Sequence, residues 1–142
     1  MSERDDRSRL EALASIPLFE GLPSDVLRDI LDRVTEFEVE RGHVLVQPQQ
    51  PGEGLFVIEQ GEAVVDLPGR RVSLGPGEFF GELALLNDNA LRSARVSAAT
   101  RLTGLALRRD DFDSLLESRP EMAVSMLRVL ARRMASLTEP AG

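Results

Sequence analysis

The residues best suited to chemistry lie in one run, from Phe79 to Val96. Gly81 has no side chain, so the backbone there can approach a ligand closely. Glu82 to Leu86 reads as one or two helical turns whose first N–H groups face an anion, with Leu83 or Ala84 as the expected donor. Arg92 supplies a planar, permanently charged fork suited to phosphate, and Ser93 adds a hydroxyl. Glu82 accepts hydrogen bonds only. A phosphate clamp beside a carboxylate suits a ligand that carries both an anion and a sugar hydroxyl. Two plainer roles compete: Glu82 as a carboxylate stabilised by a helix start, and Arg92 as a solvated cation or an internal partner of Glu82.

Composition removes several alternatives. The chain has 142 residues and no cysteine, which excludes disulfides and thiolate metal sites. His43 is the only histidine, leaving zinc sites and His-based triads without their usual parts. The net charge of −7 argues against general binding to nucleic acid or acidic membranes. It also means that phosphate affinity must come from local groups, which raises the importance of Arg92. No apolar run approaches the roughly 18 residues of a membrane span, and the charged first nine residues do not resemble a signal peptide. The expectation is one cytoplasmic domain over residues 1–142, large enough for its own core.

The elements that must hold the run follow from periodicity. Residues 1–7 are highly charged and are expected to lack order, with a short helix over Ser8–Ser15. Leu18 and Phe19 belong to an apolar anchoring loop broken by Pro17, Gly21 and Pro23. Ser24 is an N-cap candidate for a helix over 24–34, with Val26, Leu27, Ile30, Leu31 and Val34 on one face. From Glu36 the period falls to two, and about eight short strands with Gly and Pro turns occupy 36–108. Pro68-Gly69-Arg70 reads as a hairpin turn, and Gly42, Gly52, Gly61, Gly75 and Gly77 as turn residues. The predicted fold is α+β: an antiparallel sandwich or jelly roll flanked by helices.

Helices return over 110–138. Asp110 or Asp111 is the cap candidate for a helix ending at Arg119, and Pro120 opens the last one. There Ala123, Leu127, Leu130, Met134 and Leu137 repeat with 4-3-4-3 spacing, while Met122, Met126 and Val129 widen the stripe. Such a stripe is wide enough to cover the chain's own sandwich and to meet a second copy.

Gly81-Glu82-Leu83-Ala84-Leu85, followed after six residues by Arg92-Ser93-Ala94-Arg95-Val96, resembles the phosphate-binding cassette of cyclic nucleotide-binding domains. Its spacing is similar to that of the cyclic AMP receptor protein branch. The resemblance implies that Glu82 holds the ribose 2′-hydroxyl and Arg92 the cyclic phosphate. Val72 and Leu74 would then form an apolar floor beneath the base, and Ser93 leans the choice between cAMP and cGMP towards cAMP. Leu137 stands where that branch reads the base with threonine, leaving Arg128, Arg132 and Arg133 as candidates for stacking on it. Gln49-Gln50 replaces a frequent Gly-Asp, so a loop of different shape is expected there.

The implied activity is regulatory. Ligand capture would move the C-terminal helix over the base as a lid, homodimers would form through residues 120–137, and an unidentified effector protein would read the change. No cofactor beyond the nucleotide ligand is expected, and neither direct nucleic-acid binding nor membrane association. A fold that keeps the architecture as an interaction module without binding nucleotide is the second reading. An enzyme is the third, and it lacks the His and metal-ligand clusters that phosphodiester cleavage calls for.

Overall fold

The computed structural model describes residues 3–50, 53–86 and 94–138. Apolar–polar alternation resolves into β1 (Thr35–Val39), β2 (Val44–Val46), β3 (Gly54–Gln60), β4 (Ala63–Leu67), β5 (Arg70–Leu74), β6 (Phe79–Phe80), β7 (Arg95–Ala98) and β8 (Leu102–Arg108). They form two antiparallel four-stranded sheets, ordered β1-β8-β3-β6 and β2-β7-β4-β5. This is the jelly-roll order expected from the short, evenly spaced strands.

The inner layer is built by both sheets. Ile58, Phe80 and Leu102 of one meet Ala63, Val96 and Ala98 of the other. Phe37, Phe56, Val65 and Leu74 pack around this cluster while remaining partly exposed. The alternate residues Leu55, Val57, Leu105 and Leu107 are buried as well, so both faces of the β3–β8 pair are covered. Among the described residues no polar or charged side chain is buried.

The β4–β5 turn is tighter than expected. Leu67 pairs with Arg70, so the turn has two central residues, Pro68 and Gly69, with Gly69 at φ 77°. Gln49 holds a left-handed φ of 69°. The loop therefore keeps a backbone that glycine adopts most easily, even though glycine is absent there. Gly52 lies outside the described residues.

Residues 33–113 make one compact unit, and residues 1–32 with 114–142 make another. The helical unit contains α1 (Glu3–Ala14), a 3-10 turn (Pro17–Phe19), α2 (Ser24–Arg33), the second half of α3 (Arg109–Ser118) and α4 (Pro120–Thr138). α1 begins within the stretch expected to lack order. Asp6 sits in its first turn, where the helix dipole favours a carboxylate, and lies 4.0 Å from Arg28. Ser24 is not the cap of α2: the N–H groups of Val26 and Leu27 both donate to the Pro23 carbonyl, which makes Pro23 the capping residue and Ser24 the first helical one. α3 likewise starts at Arg109, so Asp110 and Asp111 stand in its first turn and do not cap it. Leu18 and Phe19 are buried as expected, and the 3-10 turn packs against α1 and α4.

Candidate functional site

β3 and β6 position the start of the Phe79–Val96 run. Phe56 pairs with Phe80, and their rings stack at 4.9 Å with an interplanar angle of 14°. Phe37 meets Phe56 edge-on at 5.6 Å, which extends the aromatic row across the sheet. Fixing Phe80 in this row fixes the next residue, Gly81, at φ 83°. A Cβ on Gly81 would collide with the Gly54 carbonyl oxygen at the start of β3. The missing side chain is thus taken up by the protein's own backbone, a structural demand beyond the ligand approach read from the sequence.

Glu82–Leu85 forms a single 3-10 turn, shorter than the one or two helical turns allowed by the sequence. Glu82 opens it and is partly exposed. Ala84 is buried, and its N–H donates to the Gly81 carbonyl at 3.0 Å. That bond closes the turn. The Leu83 side chain is 42% exposed and so is not core, whereas Leu85 is buried. Arg92 and Ser93 lie outside the described residues.

Strand register places the predicted floor. Val72 stands opposite Val65, which stands opposite Val96 on the inner face. Leu74 stands opposite Ala63, which stands opposite Ala98. Directly opposed residues share a face, so Val72 and Leu74 both turn inward, and both are half-buried. Val65 turns to the same face, a position that sequence reasoning did not single out. Its signal was present in the alternation from Ala63 to Leu67, but only the pairing with Val72 assigns it to this surface. On the opposite face of the same strand pair, Arg71 Nε donates to Asp66 Oδ1 at 2.9 Å.

The C-terminal helix divides the apolar stripe into two parts. Its buried residues are Met122, Met126 and Val129, while Leu127, Met134 and Leu137 are exposed. Leu137 is 86% exposed. Arg128 and Arg132 line a shallow groove with Glu20 and Gly21, and Arg132 lies 4.0 Å from Glu20. A separate cleft of about 490 Å³, bordered by Val44, Gln47, Gln50, Glu53, Arg108 and Asp110, shares no residue with the predicted site. Among the described residues no group of three or more His, Cys, Asp or Glu is placed to hold a metal. No helix among them is long and apolar enough to cross a membrane.

A profile of the cyclic nucleotide-binding domain matches residues 36–119, which span β1 to the end of α3. The chain belongs to the cyclic nucleotide-binding domain family. A cyclic nucleotide-gated potassium channel of Mesorhizobium japonicum is 40% identical over 113 residues, covering 80% of this chain and 31% of the channel. A CRP-like cAMP-activated global transcriptional regulator of Mycobacterium tuberculosis is 29% identical over 133 residues, covering 87% of this chain and 58% of the regulator. The chain thus spans about a third of the channel's length and somewhat over half of the regulator's. Among solved structures, the N-terminal domain of a transcriptional regulator from Streptomyces coelicolor superposes with a TM-score of 0.76 at 31% identity, covering 89% of this chain and 92% of that one. The regulatory domain of Toxoplasma gondii PKA with cAMP gives a TM-score of 0.70 at 30% identity, covering 81% of this chain and 46% of that one. Family membership accounts for the jelly-roll order of the two sheets.

Proposed function

We propose that this domain is a cytoplasmic sensor of a cyclic nucleotide, leaning towards cAMP, and performs no chemistry of its own. The observation that carries the reading is the position of Glu82. It opens a turn pinned to β3 through Gly81 and Gly54, at the carboxylate position of the family's cassette. Glu82 accepts the ribose hydroxyl, Arg92 and Ser93 hold the cyclic phosphate together with the Leu83 or Ala84 N–H, and Val65, Val72 and Leu74 offer apolar surface to the base. Capture biases the equilibrium of α4, and an effector reads that helix. The relatives include channels, transcriptional regulators and kinase regulatory subunits, so the effector is either another protein or a further segment of a longer chain.

Titration calorimetry with cAMP and with cGMP tests this. Micromolar or tighter binding supports the sensor, and the ratio of the two affinities assigns the base. Absence of heat and of thermal stabilisation at millimolar nucleotide overturns it. The exposed Leu127, Met134 and Leu137 favour a second reading, in which the same helix serves as a contact surface for a second copy.

A further inference from the structure

We propose that Arg119 is the positioning residue of α4, clamping the α3–α4 elbow onto α2. Arg119 is the single residue between Ser118, which ends α3, and Pro120, which opens α4. Its Nε donates to Asp29 Oδ2 at 2.5 Å and its Nη1 to Asp25 Oδ2 at 3.2 Å, while Glu121 Oε1 lies 3.5 Å from the same Nη1. Asp25 and Asp29 are one helical turn apart on α2, so one planar guanidinium spans both. The Arg119 side chain is only 25% exposed, against 63% for Arg132 in its longer pair with Glu20. Arg119 is the better shielded of the two cations, while its partners Asp25 and Asp29 are 70% and 41% exposed, so its hold comes from spanning both. The Asp29 hydrogen bond is the main cause of a raised Arg119 pKa, partly opposed by desolvation. The backbone fixes the elbow too, through Arg119 N–H to Leu115 O at 2.8 Å and Met122 N–H to Arg119 O at 3.0 Å.

The location gives the clamp its consequence. The chain passes between its two units at Asp32–Arg33, where α2 ends, and at Asp113–Ser114, inside α3. Arg119 ties α2 to the end of α3, and so joins the two segments through which the cassette-bearing unit connects to the helical one. Beyond Val129 no described residue of α4 is buried, so the direction of the helix is set at its base. Coupling of this clamp to nucleotide capture rests on the sensor reading above.

The test uses the 142-residue chain and compares Arg119→Ala, Arg119→Lys and the double variant Asp25→Asn/Asp29→Asn. Hydrogen exchange is followed by mass spectrometry, free and with cAMP. Arg119→Ala should speed exchange over the first turns of α4, leave β3 and β8 unchanged, and weaken cAMP binding by about fivefold or more. The double aspartate variant should reproduce both effects and add little when combined with Arg119→Ala, whereas Arg119→Lys should restore part of each. Unchanged α4 exchange in Arg119→Ala overturns the clamp, and cAMP affinity that is unchanged or tighter overturns its coupling to the site. If Arg119→Ala loses protection throughout the sheets, the lysine and asparagine variants decide by the same readouts. Failure of the unmodified protein to bind either nucleotide sinks the sensor reading alone, because exchange in the free protein still decides the clamp.

Discussion

Gly81 lies so close to Gly54 that a side chain on the first would occupy the place of the second's carbonyl oxygen. Gly81 also has a φ of 83°, which side chains resist. Gly81→Ala should therefore destabilise the domain by about 2 kcal/mol or more, read as a lower urea midpoint at constant slope. An unshifted midpoint would show that β3 and the cassette turn do not press together.

Arg92→Ala removes the one always-charged donor assigned to the phosphate. A charge-assisted bond contributes about 1.5–3 kcal/mol, so nucleotide affinity should fall roughly ten- to more than a hundredfold. Calorimetric titration at fixed ionic strength checks this, and an unchanged dissociation constant removes Arg92 from the site.

Phe80 is 7% exposed and stacks on Phe56. Phe80→Ala should cost about 3–5 kcal/mol by leaving a cavity in the inner layer. Because the same residue leads into Gly81, nucleotide binding should weaken in the fraction that stays folded, measured by titration well below the melting temperature.

Two neighbours on α4 should respond oppositely. Met126 is buried at 3% exposure, and Met126→Ala should cost about 2–5 kcal/mol, while Leu127→Ala should stay within about 0.5 kcal/mol. Thermal unfolding of both variants checks this. Should the helix form a dimer, Leu127→Glu would abolish it in sedimentation experiments without lowering the stability of the single chain.

Gln49 occupies the left-handed region without being glycine. Gln49→Gly should stabilise the domain by up to about 1 kcal/mol, since relief of the side-chain penalty exceeds the added unfolded-state entropy. A fall in the unfolding midpoint would contradict the assigned backbone.

Strands were legible because side-chain direction alternates strictly, and Gly and Pro mark the reversals. Phe37 with Val39, and Val72 with Leu74, declare a face without any knowledge of the partner strand. Contacts distant in sequence were not legible: nothing near Gly81 announces Gly54; the β4–β5 hairpin was announced, but its register was not, because the turn has two central residues and not three. The terminal helix was ambiguous for a different reason. Its apolar stripe contains both Met122-Met126-Val129 and Leu127-Met134-Leu137, and about 100° of rotation per residue separates adjacent candidates. Composition cannot tell which edge of a wide stripe turns inward. The cap of α2 slipped by one residue because Pro23 caps through its carbonyl, a group every residue possesses.

The described core contains no polar side chain, and this separates two kinds of heritage in the molecule. Apolar packing fills the interior of the sandwich, while Glu82, at the start of the turn after β6, is partly exposed and stands outside it. A loop carrying a different recognition set could be transplanted between β6 and β7 without redesigning the interior. The graft would have to begin with glycine, since the carbonyl of Gly54 admits nothing larger.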